Sequence, residues 1–159
     1  MFGWFKSVPF MDAQLGEFRR SRGAWRGTLT LEGVGSVPLV LSGDRAAPAA
    51  DALRIARTIP SGYASWRPMI ERELFEHYSP YAEAAAEEAA SSTPSEFPRI
   101  DSAASVWPHT AIRYVQVSPL SGELTIEIGY RVAWDEEHTL GARLRDGRML
   151  ELCGSVLAP

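Results

Sequence analysis

The sequence predicts an α+β fold, with antiparallel sheet on either side of a central block of two or three helices, in the order strands, helices, strands. Three observations lead there. Apolar and polar residues alternate strictly from 125 to 134, the period of a strand with one buried face. Between Pro48 and Ala90 apolar residues return every three or four positions, the period of one helix face. Before and after that block, glycine-marked turns separate short apolar runs.

Taken in order, the first elements are short strands at about 7–10, 17–21, 25–31 and 37–41, with Gly23, Gly33, Gly35 and Gly43 at the breaks. Pro38 has no N–H to donate to a ladder, so it argues for an edge position or a bulge. Arg19, Arg20, Arg22 and Arg26 make the first hairpin basic. No glycine-rich phosphate loop accompanies them, and they read as a solvated edge that discourages strand-to-strand aggregation.

The helical block opens with Pro48 in a first turn, leading into a helix over 49–58. After the Pro60-Ser61-Gly62 break, Ser65 is placed to cap a second helix with Pro68 in its first turn and a stripe of Ile70, Leu74, Tyr78 and Tyr81. Ser79-Pro80 reads as a further cap, predicting a kink or restart before the alanine-rich stretch to Ala90. Residues 91–109 are rich in Ser, Thr and Pro and read as an irregular loop inside one domain spanning 1–159, with Phe97 and Trp107 as anchors.

A strand over 111–118 turns through 119–122 into the long strand from Glu123. Ile126, Ile128, Tyr130, Val132 and Trp134 form its inward row. At roughly 1.5–3 kcal/mol for each large side chain buried, that row outweighs any single polar contact and sets the register. The pattern stops at Asp135, Glu136, Glu137 and His138, which predicts a corner. Alternation resumes through Leu140, Ala142 and Leu144, turns at Asp146-Gly147 and returns through Leu150 and Leu152.

Composition narrows the function. A chain of 159 residues, 45% hydrophobic and 23% charged, fits one globular domain. A formal charge of −4 provides no global basic field for a phosphate backbone, so a nucleic-acid partner is not expected. The single cysteine, Cys153, excludes an intrachain disulfide and a zinc site of several thiolates, and suits a reducing compartment. The opening ten residues lack the pattern of a secretion signal, and no apolar run approaches the roughly 20 residues that span a bilayer. A cytoplasmic protein without a membrane partner is the expectation.

Acidity is concentrated in the middle: residues 1–67 carry 9 basic and 5 acidic side chains, residues 68–101 carry 2 and 8. Glu76, Glu83 and Glu87 share one face of a helix if the restart keeps phase, making a ridge suited to a basic partner or simply a solvated face.

Asp135, Glu137 and His138 are the candidates for chemistry, since carboxylates and an imidazole can serve as general acid, general base or ligand. In an extended segment Asp135 and Glu137 point one way while Glu136 and His138 point the other, and only a turn brings three together. His77 and His109 are the other histidines. The chain has no HExxH, P-loop, GxSxG or dinucleotide fingerprint, so neither metal nor cofactor is expected. Cys153 reads as a small apolar filler. Three readings of the corner stay open: a structural bend in which Asp135 accepts a backbone N–H two residues on and His138 donates to a carbonyl of a neighbouring strand, a protein-binding hot spot, and a catalytic or metal site.

The stretch VAWDEEHTLGARLRDGRMLELCGS resembles the C-terminal signature of a family of small bacterial proteins classed as a domain of unknown function. In that pattern a strand ends in Trp-Asp-x-Glu-His and continues to a glycine, which here gives Trp134, Asp135, Glu137, His138 and Gly141. The resemblance covers about the last third of the chain and implies no established activity. Through similar domains encoded beside toxin genes, it loosely implies an immunity or partner-binding role.

Two functions follow. One is a non-catalytic protein-binding module, of immunity type, that meets a basic or toxin-like partner through Glu76, Glu83 and Glu87 or through residues 91–109. The other is a metal-assisted or acid/base enzyme built on Asp135, Glu137 and His138.

Overall fold

A computed structural model describes residues 7–91 and 96–159 of the chain. Eight strands make one sheet in which each lies beside the next in chain order: β1 (Phe10–Asp12), β2 (Gly16–Ser21), β3 (Ala24–Leu31), β4 (Gly35–Leu41), β5 (Thr110–Leu120), β6 (Glu123–Val132), β7 (Asp135–Arg145) and β8 (Arg148–Val156). Every pairing is antiparallel except β4 with β5, which run parallel through Leu39↔Val115, Val40↔Gln116 and Leu41↔Val117. Parallel neighbours need a long crossover, and one helix, α1 (Ala50–Ser91), provides it.

Two expectations are corrected here. The sheet is mixed and not antiparallel throughout, and one helix of 42 residues replaces the expected block of two or three. Pro60, Pro68 and Pro80 all lie inside it. Each proline removes a backbone donor, which is why local rules place breaks there. The buried stripe nevertheless runs in phase past Pro60 and Pro68, from Ala52 through Ala56, Ile59, Tyr63, Trp66, Ile70 and Leu74 to Tyr78, and half-buried Ala82 continues it beyond Pro80. Helices in proteins draw most of their stability from packing such a face, and here packing overrides propensity. The prolines themselves are exposed or half-exposed. Neighbouring hydroxyls bond back to carbonyls of the preceding turn: Ser61 to Thr58, Ser79 to Phe75, and Ser65, which caps nothing, to Gly62 at 2.7 Å.

The inward rows of the sheet meet that stripe. Val115 and Val117 of β5, Ile126, Ile128, Tyr130 and Val132 of β6, and Leu140, Ala142 and Leu144 of β7 are buried in the same core. Tight turns at Arg22-Gly23, Ser121-Gly122 and Asp146-Gly147 have positive φ at both residues, the geometry that matches strand twist in a two-residue hairpin. Pro38 lies opposite Thr28 of β3, one residue before the β5 ladder begins, so its missing N–H costs no pairing there. β1 begins at Phe10, later than the expected 7–10.

The irregular stretch is shorter than predicted. Helix α1 continues to Ser91, and Ala103–Ser105 and Trp107–His109 form short 3-10 turns. The part of the expected loop at 92–95, and the first six residues on which the reading of the N-terminus rests, lie outside the described residues. Phe97 stacks on Tyr78 at 5.9 Å between centroids. Trp107 donates to Glu71 at 2.7 Å and carries the Arg67 guanidinium over its ring at 4.4 Å. No helix among the described residues is long and apolar enough to cross a membrane.

Candidate functional site

The turn after β6 falls at Ala133 and Trp134, and Asp135 already pairs with Val132 as the first residue of β7. Beyond it the ladder slips: Tyr130 pairs with Leu140, so a single residue of β6 faces four of β7. Residues 136–139 bulge, and the bulge carries His138 back over Asp135. The expected corner is thus a bulged strand start.

Trp134 is 4% exposed and Asp135 7%. The indole N–H of Trp134 donates to Nδ1 of His77 on α1 at 3.1 Å. Indole can only donate, so Nδ1 holds a lone pair and the His77 ring proton sits on Nε2. The His77 ring stacks on Tyr81 with centroids 5.2 Å apart, and Trp134 meets Tyr78 edge to face at 5.5 Å. Tyr81 donates to Asp135 Oδ2 at 2.8 Å, while Nδ1 of His138 lies 3.0 Å from both carboxylate oxygens. The backbone N–H of His138, three residues on and not two, also points to Oδ1, at 3.3 Å. The partner of the His138 ring is this carboxylate, not a strand carbonyl.

Charge follows from these contacts. Burial alone pushes the Asp135 carboxyl upward, but the Tyr81 hydroxyl and His138 together outweigh it and hold the group below the ordinary carboxylate value. Hydrogen bonding to that carboxylate raises Tyr81. Burial lowers His77; Asp135 pulls it up and His138 pushes it down.

Of the residues singled out from sequence, Trp134, Asp135 and His138 come together, whereas Glu137 stays exposed and contributes only a field at Tyr81. Gly141 is opposite Gly129 in the β6–β7 ladder, where a Cβ would lie 2.7 Å from Val156 and 3.3 Å from Glu127. His77 and Tyr81 complete the cluster from 54 to 57 residues away. Tyr81 was expected in the buried stripe; it stands at the margin of the helix face and reaches Asp135. No group of three or more His, Cys, Asp or Glu side chains able to hold a metal ion occurs among the described residues.

A second feature lies on the other flank of α1. Between its last turns and residues 97–101 runs an open groove of about 680 Å³. Ala82, Ala85, Ala86 and Ala89 form one wall; Phe97 and Ile100 face them. Tyr78 closes the floor, donating to the Pro98 carbonyl at 2.9 Å and accepting the Ile100 N–H at 3.0 Å. Glu83 and Asp101 line the same groove. The helix keeps phase through Pro80, so Glu76, Glu83 and Glu87 do share one exposed side of it.

A family model described as a domain of unknown function, DUF6985, matches residues 14–156. The chain belongs to the DUF6985 family. That DUF6985 span runs from just before β2 to the last residue of β8, so the Trp134 cluster and the groove both fall inside it. No curated protein and no solved structure matches the chain.

Proposed function

We propose that this DUF6985 protein is a non-catalytic protein-binding module that seats a basic amphipathic segment of its partner in the groove beside α1. The observation that carries the reading is the coincidence of an apolar, alanine-walled groove with an acidic side. Alanine lets a partner backbone come close, and helix-in-groove recognition pairs such a surface with apolar anchors. The charge at it leans acidic: Glu83 and Asp101 line the groove with Arg99, which is paired with Asp101 at 3.4 Å, and exposed Glu87 follows Glu83 one turn on along α1. A basic partner is attracted and an acidic one repelled. A toxin-like protein bound by an immunity-type module is one form of this reading, and a reducing, cytoplasmic setting is supported by the free thiol of Cys153.

A synthetic helix of leucine and lysine, labelled for fluorescence anisotropy, tests it. Wild-type protein should bind this probe, with Ala86→Trp filling the groove and abolishing binding. Glu83→Lys with Glu87→Lys should weaken it about tenfold, the equivalent of roughly 1.4 kcal/mol. Equal binding by the groove-filled variant sinks the proposal.

A second reading rests on Asp135, which orients the imidazole of His138 as a carboxylate orients a general base. Its ring stays open to solvent on the other side, with 45% of the side chain exposed. Acid/base catalysis there requires that His138→Ala abolish turnover of a hydrolase probe set while leaving the fold intact; turnover unaffected by that change removes it.

A further inference from the structure

The contact between Trp134 and His77 contains a chemical conflict. Its hydrogen bond exists only while Nδ1 of His77 has a free lone pair. An imidazolium has two N–H donors and no acceptor, so protonation sets one donor against another across 3.1 Å. We propose that protonation of His77 opens this contact, withdraws Trp134 from α1, and through Tyr78 loosens the floor of the groove.

The path is short and runs through aromatic contacts and the Tyr78 hydroxyl. Trp134 meets the ring of Tyr78 edge to face, and the same ring stacks on Phe97. The Tyr78 hydroxyl holds the segment across the groove through Pro98 and Ile100. One turn of α1 therefore reads the histidine on one flank and supports the groove on the other.

Three elements pack about His77, and β7 and α1 bring its ionisable neighbours. From β7, Asp135 favours a charged ring, and His138, held by the same carboxylate, opposes it. On α1 itself Tyr81 stacks on the ring, and Glu73 stands one turn earlier in sequence. From β8 the neighbour is Gly154, which brings no charge; a Cβ there would lie 3.6 Å from Nε2. Asp135 is already engaged by Tyr81 and His138, so it has no vacant oxygen committed to a second imidazolium. Loosening the groove is a property of the chain alone; its use to release a partner rests on the groove being the binding site.

Nitrogen-15 NMR of the free protein between pH 8 and 4 tests the inference without any partner. Trp134→Phe identifies the indole signal. The expected result is a shift of the Trp134 indole N–H and of the Ile100 amide with one shared midpoint below 6.5, the ordinary histidine value. The other tryptophan indoles should stay in place. His77→Asn keeps an acceptor near the Nδ1 position but cannot be protonated, and should abolish both shifts. A Trp134 signal that titrates unchanged in His77→Asn overturns the proposal. So does a flat titration, or collapse of all indole signals together, which would mean general acid unfolding. If these shifts occur but probe affinity for the groove is the same above and below the midpoint, the latch stands and the binding site lies elsewhere.

Discussion

At Gly129 the absent side chain is replaced by a neighbour's ring. Tyr114 pairs with Gly129 across the β5–β6 ladder and lies so close that a Cβ there would sit 2.3 Å from the ring. The Tyr114 hydroxyl reaches Glu127 at 2.7 Å, and Glu127 binds Arg143, which binds Glu151. Burial and the bond to Glu127 push the Tyr114 phenol well up, so it remains a donor at any ordinary pH. Gly129→Ala should therefore cost about 1–3 kcal/mol by overpacking. Gly141→Ala should cost less, because only one Val156 methyl lies within 3 Å of the new Cβ, at 2.7 Å, whereas at Gly129 three Tyr114 ring atoms lie at 2.3, 2.6 and 2.8 Å. Urea unfolding of the two variants ranks them, and the reverse order would refute this account. Both glycines could be read as turn-free strand positions in the sequence, but the ring over Gly129 could not: Tyr114 and Gly129 are paired by register, which no local pattern states. In sequence His77 reads as a lone helical histidine and Tyr81 as part of the buried stripe, and their meeting with Asp135 and Trp134 was illegible for the same reason. Only their spacing of four on a helix, which puts two aromatic rings on one flank, was available as a signal.

On the scale of elements, strand positions were legible because alternation is a short-range pattern written by the side chains themselves. The helix boundaries were not. Proline rules describe the cost of a missing backbone donor, whereas the stripe from Ala52 to Tyr78 describes what the helix gains as a whole against the sheet. The prolines still exact their local penalty. Replacing exposed Pro68 with alanine restores the N–H and relieves the ring clash, and should raise stability by on the order of 1–3 kcal/mol. A thermal melt would show it as a higher midpoint; a lower one would mean that the proline sets a bend the packing needs. Parallel pairing of β4 with β5 was likewise illegible, since three register pairs separated by 76 positions, as in Leu39↔Val115, leave no trace in either strand alone.

Across the molecule, acid acts through two windows. His77 is held down chiefly by burial, so the unfolded chain binds the extra proton and stability falls as pH drops below about 6.5. Asp12 is lowered from 3.8 to about 2, mainly by its bond to Arg57, and Asp135 is also lowered. For both carboxyls the stability is complete above 3.8 and is lost as pH falls below it, for Asp12 toward 2. Urea midpoints measured against pH should show an upper decline that His77→Asn removes and a lower one that Asp12→Asn flattens. A single decline below 4 would mean that the histidine is not coupled to folding.

The crossover carries a consequence for synthesis. While a ribosome elongates at roughly 5–20 residues per second, β1 to β4 are available long before β5 leaves the tunnel. Throughout that interval the Leu39–Leu41 side of β4 has no neighbour to pair with, and the inward side chains of β3 and β4 wait for the helix that will cover them. Nascent β1 to β4, residues 10–41, thus carry an unpaired strand side and an uncovered apolar face, whose protection during translation falls to chaperones or to the speed with which α1 folds over them.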